Sequence, residues 1–169
     1  VVATTGLSEE QVDTLKASAN EIPVFFSANM SIGVSLIAEL AAKAAHVLDG
    51  SFDIEIVEMH HNQKIDAPSG TALMLADSVS EALSHKPHYE FDRHSKRAKR
   101  DANEIGIHAV RGGTIVGEHE IIFAGMDEVI KISHSARSKG LFATGAVNAA
   151  LFLKNKPAKL YSMKDLVAE

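Results

Sequence analysis

The chain has 169 residues, of which 46% are apolar and 23% charged, with no cysteine and a formal charge of −5. That length allows one well-cored domain, or one domain with a piece of another, and the missing cysteines exclude disulfides and thiolate metal sites. The acidic balance argues against a general nucleic-acid binder, and no run of about 18 apolar residues exists to span a membrane. Nine histidines make the charge less negative below about pH 6.5. Residues 1–6 lack the basic start and apolar core of a signal peptide. They read instead as the end of a buried strand entering a loop, as expected of a chain cut inside a larger fold.

Ser8-Glu9-Glu10-Gln11 has the form of a helix start, with Ser8 as cap and acids in the first turn. Val12, Leu15 and Ala19 face inward, and the helix is expected to end near Asn20. Ile22-Pro23-Val24-Phe25-Phe26 is a short apolar run of the buried-strand type. Strand, helix and strand together make one βαβ unit, the building block of a parallel sheet. A polar junction at residues 27–31 leads to a second helix, in which Val34, Ile37, Leu40, Ala41, Ala44 and Leu48 follow helical spacing. Asp49-Gly50-Ser51 ends it. Residues 52–60 then alternate, Phe52, Ile54 and Ile56 on one face against Asp53 and Glu55 on the other, which predicts a half-buried strand. His60 closes this strand at an expected sheet edge. Continued alternation sends His60 and His61 to opposite faces.

Pro68 stops any earlier helix, and Ser69 caps the next, whose Ala72, Leu75, Val79, Ala82 and Leu83 share a face. Residues 85–103 are polar, with Arg93, Lys96, Arg97, Lys99 and Arg100 crowded together, and read as a surface loop. Residues 104–111, 114–124 and 128–134 read as three strands, the first two joined by Gly112-Gly113 as a hairpin. A last helix through Phe142, Ala146, Ala149, Ala150 and Leu153 runs to Asn155, since Pro157 forbids its continuation. There is no internal repeat and no low-complexity tract. The body is α+β, a mostly antiparallel sheet with helices on one side.

Residues 58–71 carry the chemistry: Glu58-Met59-His60-His61-Asn62-Gln63-Lys64-Ile65-Asp66-Ala67-Pro68-Ser69-Gly70-Thr71. Two imidazoles and an amine able to exchange protons stand beside a turn that opens a helix. Ser69-Gly70-Thr71 supplies backbone N–H groups, two hydroxyls and the positive end of a helix dipole, the natural partners of a carboxylate or phosphate. On local sequence a plain N-cap accounts for this turn equally well. Glu58, His60, His61, His119 and His134 are candidate metal ligands by type, but the spacing matches no His-Glu-x-x-His helix and adjacent strand histidines diverge. No metal is expected. Asn29 and Thr4-Thr5-Gly6 follow predicted parallel strands, where open α/β sheets bind ligands. Arg137 and Lys139 are either carboxylate partners or surface charges.

These residues resemble the 4-hydroxy-tetrahydrodipicolinate reductase (dihydrodipicolinate reductase) family. Residues 58–71 are similar to its signature E-x-H-H-x-x-K-x-D-A-P-S-G-T, and the resemblance extends through Ala3-Thr4-Thr5-Gly6, residues 23–33, Ile105-Gly106, Arg111-Gly112-Gly113, Gly117-Glu118-His119 and Phe142-Ala143-Thr144-Gly145-Ala146. It implies that His60 is a proton donor and acceptor, and that Lys64 is a second proton donor. It likewise implies that His61, Ser69, Gly70 and Thr71 hold substrate carboxylates. Ala3, Thr4 and Thr5, with Ser27, Ala28, Asn29 and Met30, resemble two segments that touch NADH or NADPH. The family often has glycine where Ala3 stands, phenylalanine where Met30 stands and arginine where Lys139 stands. Its Gly-x-x-Gly-x-Met-Gly dinucleotide loop has no counterpart here.

The fold implied is a mixed, mostly antiparallel sheet with helices on one face, preceded by the last βαβ part of a Rossmann-like domain. Residues 1–29 are then a remnant of the dinucleotide-binding domain. Residues 30–145 form the substrate-binding and tetramerisation domain, and residues 146–169 a helix and tail returning to the first. The implied activity is NAD(P)H-dependent reduction of a cyclic dicarboxylate in lysine and diaminopimelate biosynthesis, in a cytoplasmic homotetramer without nucleic-acid or membrane partners. The alternative for the chain as it stands is an inactive substrate-binding and oligomerisation module.

Overall fold

Alternating burial runs unbroken through the strand β2 (Asp53–His60), and this sets the layout of the larger of two compact units, Ile37–Arg137. The computed structural model describes residues 1–4, 7–27 and 29–168. Elements in chain order are α1 (Glu9–Ser18), β1 (Pro23–Phe25), α2 (Ile32–Leu48), β2, α3 (Gly70–Ala82), β3 (His88–Glu90), β4 (Glu104–Arg111), β5 (Gly117–Ala124), β6 (Val129–Ala136), α4 (Gly140–Leu153), β7 (Lys159–Tyr161) and α5 (Met163–Val167).

In the larger unit five strands lie in the order β3-β4-β2-β5-β6. β3, β4 and β2 run parallel, whereas β5 and β6 are antiparallel to their neighbours. The two antiparallel ladders hold more paired residues than the two parallel ones. One face of this sheet meets the helices: Ala41 and Ala45 of α2 and Leu75 and Val79 of α3 pack with Ile56, Ile107, Ile121 and Phe123. The buried stripe of α2 takes in Ile37, Ala38, Ala41 and Ala45, while Leu40, expected inside, lies off it and is exposed. Ser69 caps α3 by accepting the N–H of Ala72, as the Pro-Ser-Gly-Thr turn predicts.

Three expectations are corrected. His60 lies at the end of a central strand, because β4 and β5 flank β2 on both sides. Gly112-Gly113 is no hairpin: β4 and β5 each pair with β2 rather than with each other, in opposite directions. Residues 112–116 therefore cross the end of β2, where the N–H of Gly112 donates to the carbonyl of His60 at 2.9 Å and that of Asn62 to Gly113 at 3.2 Å. A glycine pair signals a turn but not its partner strands. Third, the polar stretch taken as loop contains β3, and the tail contains β7 and α5, all too short to show periodicity. Within that stretch Arg100 is held by Asp53, Glu55 and the carbonyls of Ile54 and Glu104.

The second unit comprises Val1–Leu36 and Ser138–Glu169. β1 and β7 pair in parallel, and Val2 bridges Phe26 in the same sense, consistent with strand, helix, strand across α1. Phe25, Met30, Ala149, Tyr161 and Met163 form its core, with Phe152 edge-on to both Phe25 and Tyr161. Ser8 and Gln11 make the capping box expected of α1. At Gly145 of α4 a Cβ would overlap the carbonyl oxygen of Met30, so at this point the two backbones meet with no room for a side chain. Gly145→Ala is expected to destabilise this unit by about 1–3 kcal/mol or more, because a backbone carbonyl cannot step aside as a side chain does. Thermal unfolding followed by circular dichroism measures it, and an unchanged midpoint would contradict this packing.

Candidate active site

The strand period of two puts Glu58 and His60 on the same side of β2 as Ile54 and Ile56, and so inside the protein. Glu58 has no exposed surface at all. A bare carboxylate there would be costly, and four donors converge on it. Arg111, at the end of β4, donates from Nη1 to Oε2 at 2.8 Å and from Nη2 to Oε1 at 2.6 Å. The backbone N–H of Ser69 donates to Oε1 at 3.0 Å, and His60 Nδ1 lies 2.6 Å from Oε2. Burial pushes the Glu58 carboxyl up, but Arg111, His60 and Ser69 together hold it below the ordinary glutamate value.

His60 is 9% exposed, and its ring stands edge-on to that of His119, centroids 5.2 Å apart. His119 projects from β5 in register with Glu58, and its Nε2 meets Ser69 Oγ at 3.1 Å. Ser69 is thus fully engaged: its Oγ also caps Ala72, and its N–H is on Glu58. Burial, reinforced by nearby His60, pushes the His119 pKa down to about 4. Next to it in register, His134 on β6 is lowered by burial too.

Beyond β2 the chain turns back, the N–H of Lys64 donating to the carbonyl of the half-exposed His61. Lys64 Nζ then donates to Asp66 Oδ1 at 2.7 Å. The hydrogen bond from Lys64 holds the Asp66 carboxyl below its usual range. The lysine is therefore already paired with an internal carboxylate. Gly70 is exposed with open space where a side chain would stand, and Thr71 is half-buried. The peptide bond between Ala67 and Pro68 is cis.

Among the described residues no three His, Asp or Glu side chains are grouped to hold a metal ion. Likewise no helix is long and apolar enough to cross a membrane. The other expected residues belong to the second unit. Ala3 and Thr4 are exposed just after the Val2 bridge. Ser27 Oγ donates to the Asn29 carbonyl at 2.9 Å, Asn29 Oδ1 accepts the N–H of Ser31 at 2.8 Å, and Met30 is buried. Thr5 and Ala28 lie outside the described residues.

The sequence alone places His60, Lys64 and the helix start together, but not the group beneath them. The i, i+2 spacing of Glu58 and His60 on a strand was a usable sign of their contact. Arg111 and His119 carry no local sign, since they arrive from other strands.

Comparison with known proteins gives concordant results. The family model "Dihydrodipicolinate reductase, C-terminus" matches residues 33–167, and "Dihydrodipicolinate reductase, N-terminus" matches residues 1–30. The 4-hydroxy-tetrahydrodipicolinate reductase of Caldanaerobacter subterraneus subsp. tengcongensis is 58% identical over 167 residues, covering 99% of this chain and 66% of its own length. That of Clostridium tetani is 50% identical, covering 96% of this chain and 64% of its own length. A solved structure of dipicolinate-bound dihydrodipicolinate reductase from Paenisporosarcina sp. TG-14 matches with a TM-score of 0.72 at 28% identity, over 96% of this chain and 62% of that one. The chain thus spans about two thirds of the length of the curated relatives it matches.

Neutral His119 has a consequence for stability. In the unfolded chain it binds a proton below its ordinary value of 6.5, whereas in the folded chain it does so only near pH 4. The unfolded state thus holds more protons in between, so this contribution is present above about pH 6.5 and is lost as pH falls towards 4. The loss is at most about 3 kcal/mol. Urea unfolding across pH 4–7 measures it. His119→Gln is expected to flatten that dependence, and an unflattened curve would assign the acid sensitivity elsewhere.

Proposed function

The chain belongs to the dihydrodipicolinate reductase family, and on that premise we propose that it is the substrate-binding part of an NAD(P)H-dependent enzyme reducing 4-hydroxy-tetrahydrodipicolinate to tetrahydrodipicolinate in lysine and diaminopimelate biosynthesis. One observation carries this reading: Lys64, a few positions before the Ser69 helix start, already holds a carboxylate, that of Asp66. A substrate carboxylate would be held by the same kind of donors, at a helix start whose dipole favours negative charge. The relative solved with dipicolinate bound supports a small dicarboxylate as ligand.

In this reading His61, Gly70 and Thr71 hold substrate carboxylates, and Ser69 belongs to the same turn with its own polar groups committed to Glu58, Ala72 and His119. His60 and Lys64 supply protons as charge builds on the substrate ring. His119, kept neutral, adds no positive charge beside His60.

The residues of the second unit fit a nicotinamide cofactor. Ala3 and Thr4, and then Ser27, Asn29 and Met30, follow two bridged parallel chain segments, the end of such a sheet at which dinucleotides bind; Thr5 and Ala28 complete the proposed set by sequence alone. When bound, the nicotinamide supplies a hydride. We assign residues 1–29 and 146–169 to the cofactor-binding part and residues 30–145 to the substrate and tetramerisation part. The sheet face turned away from the helices carries Val57, Met59, Val110 and Val129, a surface that suits a homotetramer, and we place that assembly in the cytoplasm. Val110 and Val129 are 44% and 57% exposed.

Two measurements test the reading. In the enzyme expressed from its complete reading frame, His60→Ala or Lys64→Ala is expected to lower turnover by about 10²–10⁴-fold with little change in cofactor affinity. Wild-type turnover in either variant would sink the assignment. With the chain itself, titration of pyridine-2,6-dicarboxylate is expected to shift the backbone amide resonances of Gly70 and Thr71. Unmoved resonances at saturating ligand would remove the carboxylate site from this turn.

A further inference from the structure

Glu58 can only accept hydrogen bonds, and this decides where the proton on His60 sits. Three of its four partners are fixed donors: the two Arg111 nitrogens and the Ser69 backbone N–H. A carboxylate so surrounded stays ionised and has no proton to offer. The fourth contact, 2.6 Å to His60 Nδ1, therefore requires the proton to be on Nδ1. The neutral ring then carries its lone pair on Nε2.

The surroundings of Nε2 agree with that assignment. A Cβ placed on Gly117 would lie 3.1 Å from Nε2 and 3.4 Å from Cδ2, so glycine at the start of β5 is what keeps that nitrogen unobstructed. Two residues further along β5, His119 packs edge-on against the His60 ring and is itself held by Ser69 Oγ. One side of the imidazole is thus pinned by Glu58, its edge is braced by His119, and the remaining nitrogen faces a strand position without a side chain.

We propose that Glu58, kept anionic by Arg111, is a positioning residue that fixes His60 as the Nδ1–H tautomer, so that Nε2 is the atom that exchanges a proton with substrate. The second half of this statement rests on the reductase reading above; the first does not. In the step, the imidazolium Nε2–H bond breaks and its electron pair remains on the nitrogen. The proton goes to the substrate being reduced, the Nδ1–H stays on the ring hydrogen-bonded to Glu58, and Nε2 recovers a proton from solvent. Arg111 takes no part in the transfer. Its guanidinium, planar and permanently charged, fits both oxygens at once and prevents Glu58 from accepting the Nδ1 proton.

Long-range proton–nitrogen correlation on the histidine-labelled chain reads the tautomer directly. It is recorded roughly two pH units above the ordinary imidazole value, with the His60 signals assigned by their loss in His60→Gln. Wild type is expected to show a pyrrole-type Nδ1 and a pyridine-type Nε2. In Glu58→Gln the amide oxygen is drawn to Arg111 and the amide N–H is left for His60, so the ring is expected to shift to Nε2–H. A wild-type ring protonated on Nε2 would overturn the proposal, and so would a retained Nδ1–H in Glu58→Gln. Should Glu58→Gln fail to fold, the wild-type spectrum alone decides.

In the complete enzyme Glu58→Gln is expected to lower kcat at least about tenfold, with KM for the dicarboxylate within about twofold. Loss through KM alone would make Glu58 a binding residue and overturn the positioning role. Absence of any reductase activity in the wild-type enzyme would overturn the reductase reading and leave the tautomer result standing.

Discussion

A carboxylate with no exposure, at the end of a central strand, constrains much of the larger unit. Glu58 follows Ile54 and Ile56 into the interior by the alternation of β2. Its charge is tolerable there only because donors reach it from three separate elements. Arg111 ties it to β4, the Ser69 N–H ties it to the start of α3, and His60 ties it to its own strand. The geometry of the site is thus tied to one interaction. Removing one partner from such a buried pair costs about 3–5 kcal/mol, since the other charge stays behind, so structure and chemistry are coupled at this point.

Around that anchor the polar groups divide into two sets. Glu58, Arg111, Ser69 and His119 bond mainly to one another inside the protein. Lys64, Asp66 and Gly70 lie further out, where a lysine holds a carboxylate that belongs to the chain. In the proposed reading the inner set orients and the outer set binds. The loop at residues 112–116 connects them, since it crosses the end of β2 and bonds to both His60 and Asn62. An expected hairpin turn has become the clasp over the candidate active site.

Much of the fold could be read from local pattern. The alternation of residues 52–60, the Ser69 cap, the capping box at Ser8 and Gln11, and the limits of β4 all follow from rules acting over a few residues. The misreadings share one physical origin. β3, β7 and α5 are three to five residues long, too short for a period to emerge, and each is recognisable only beside its neighbours. Gly112-Gly113 signals a turn, but pairing is a long-range choice, and β2 accepted both strands as neighbours. Leu40 had the right spacing on a helix whose inward phase is decided by the sheet beneath it.

The sequence by itself determined which candidate reacting groups stand together. Residues 58–71 place His60, His61, Lys64 and a capped helix start within fourteen positions, and the family signature is written in the same residues. Contacts this local survive any arrangement of the rest. Only the tertiary structure decided what stands behind them: that Arg111 and His119, about fifty to sixty positions further along the chain, meet Glu58 and His60, and that Gly117 leaves Nε2 clear. Those groups come together because a buried charge must be neutralised by whichever strand the sheet sets next to it. Strand order is a property of the whole sheet and of no segment within it.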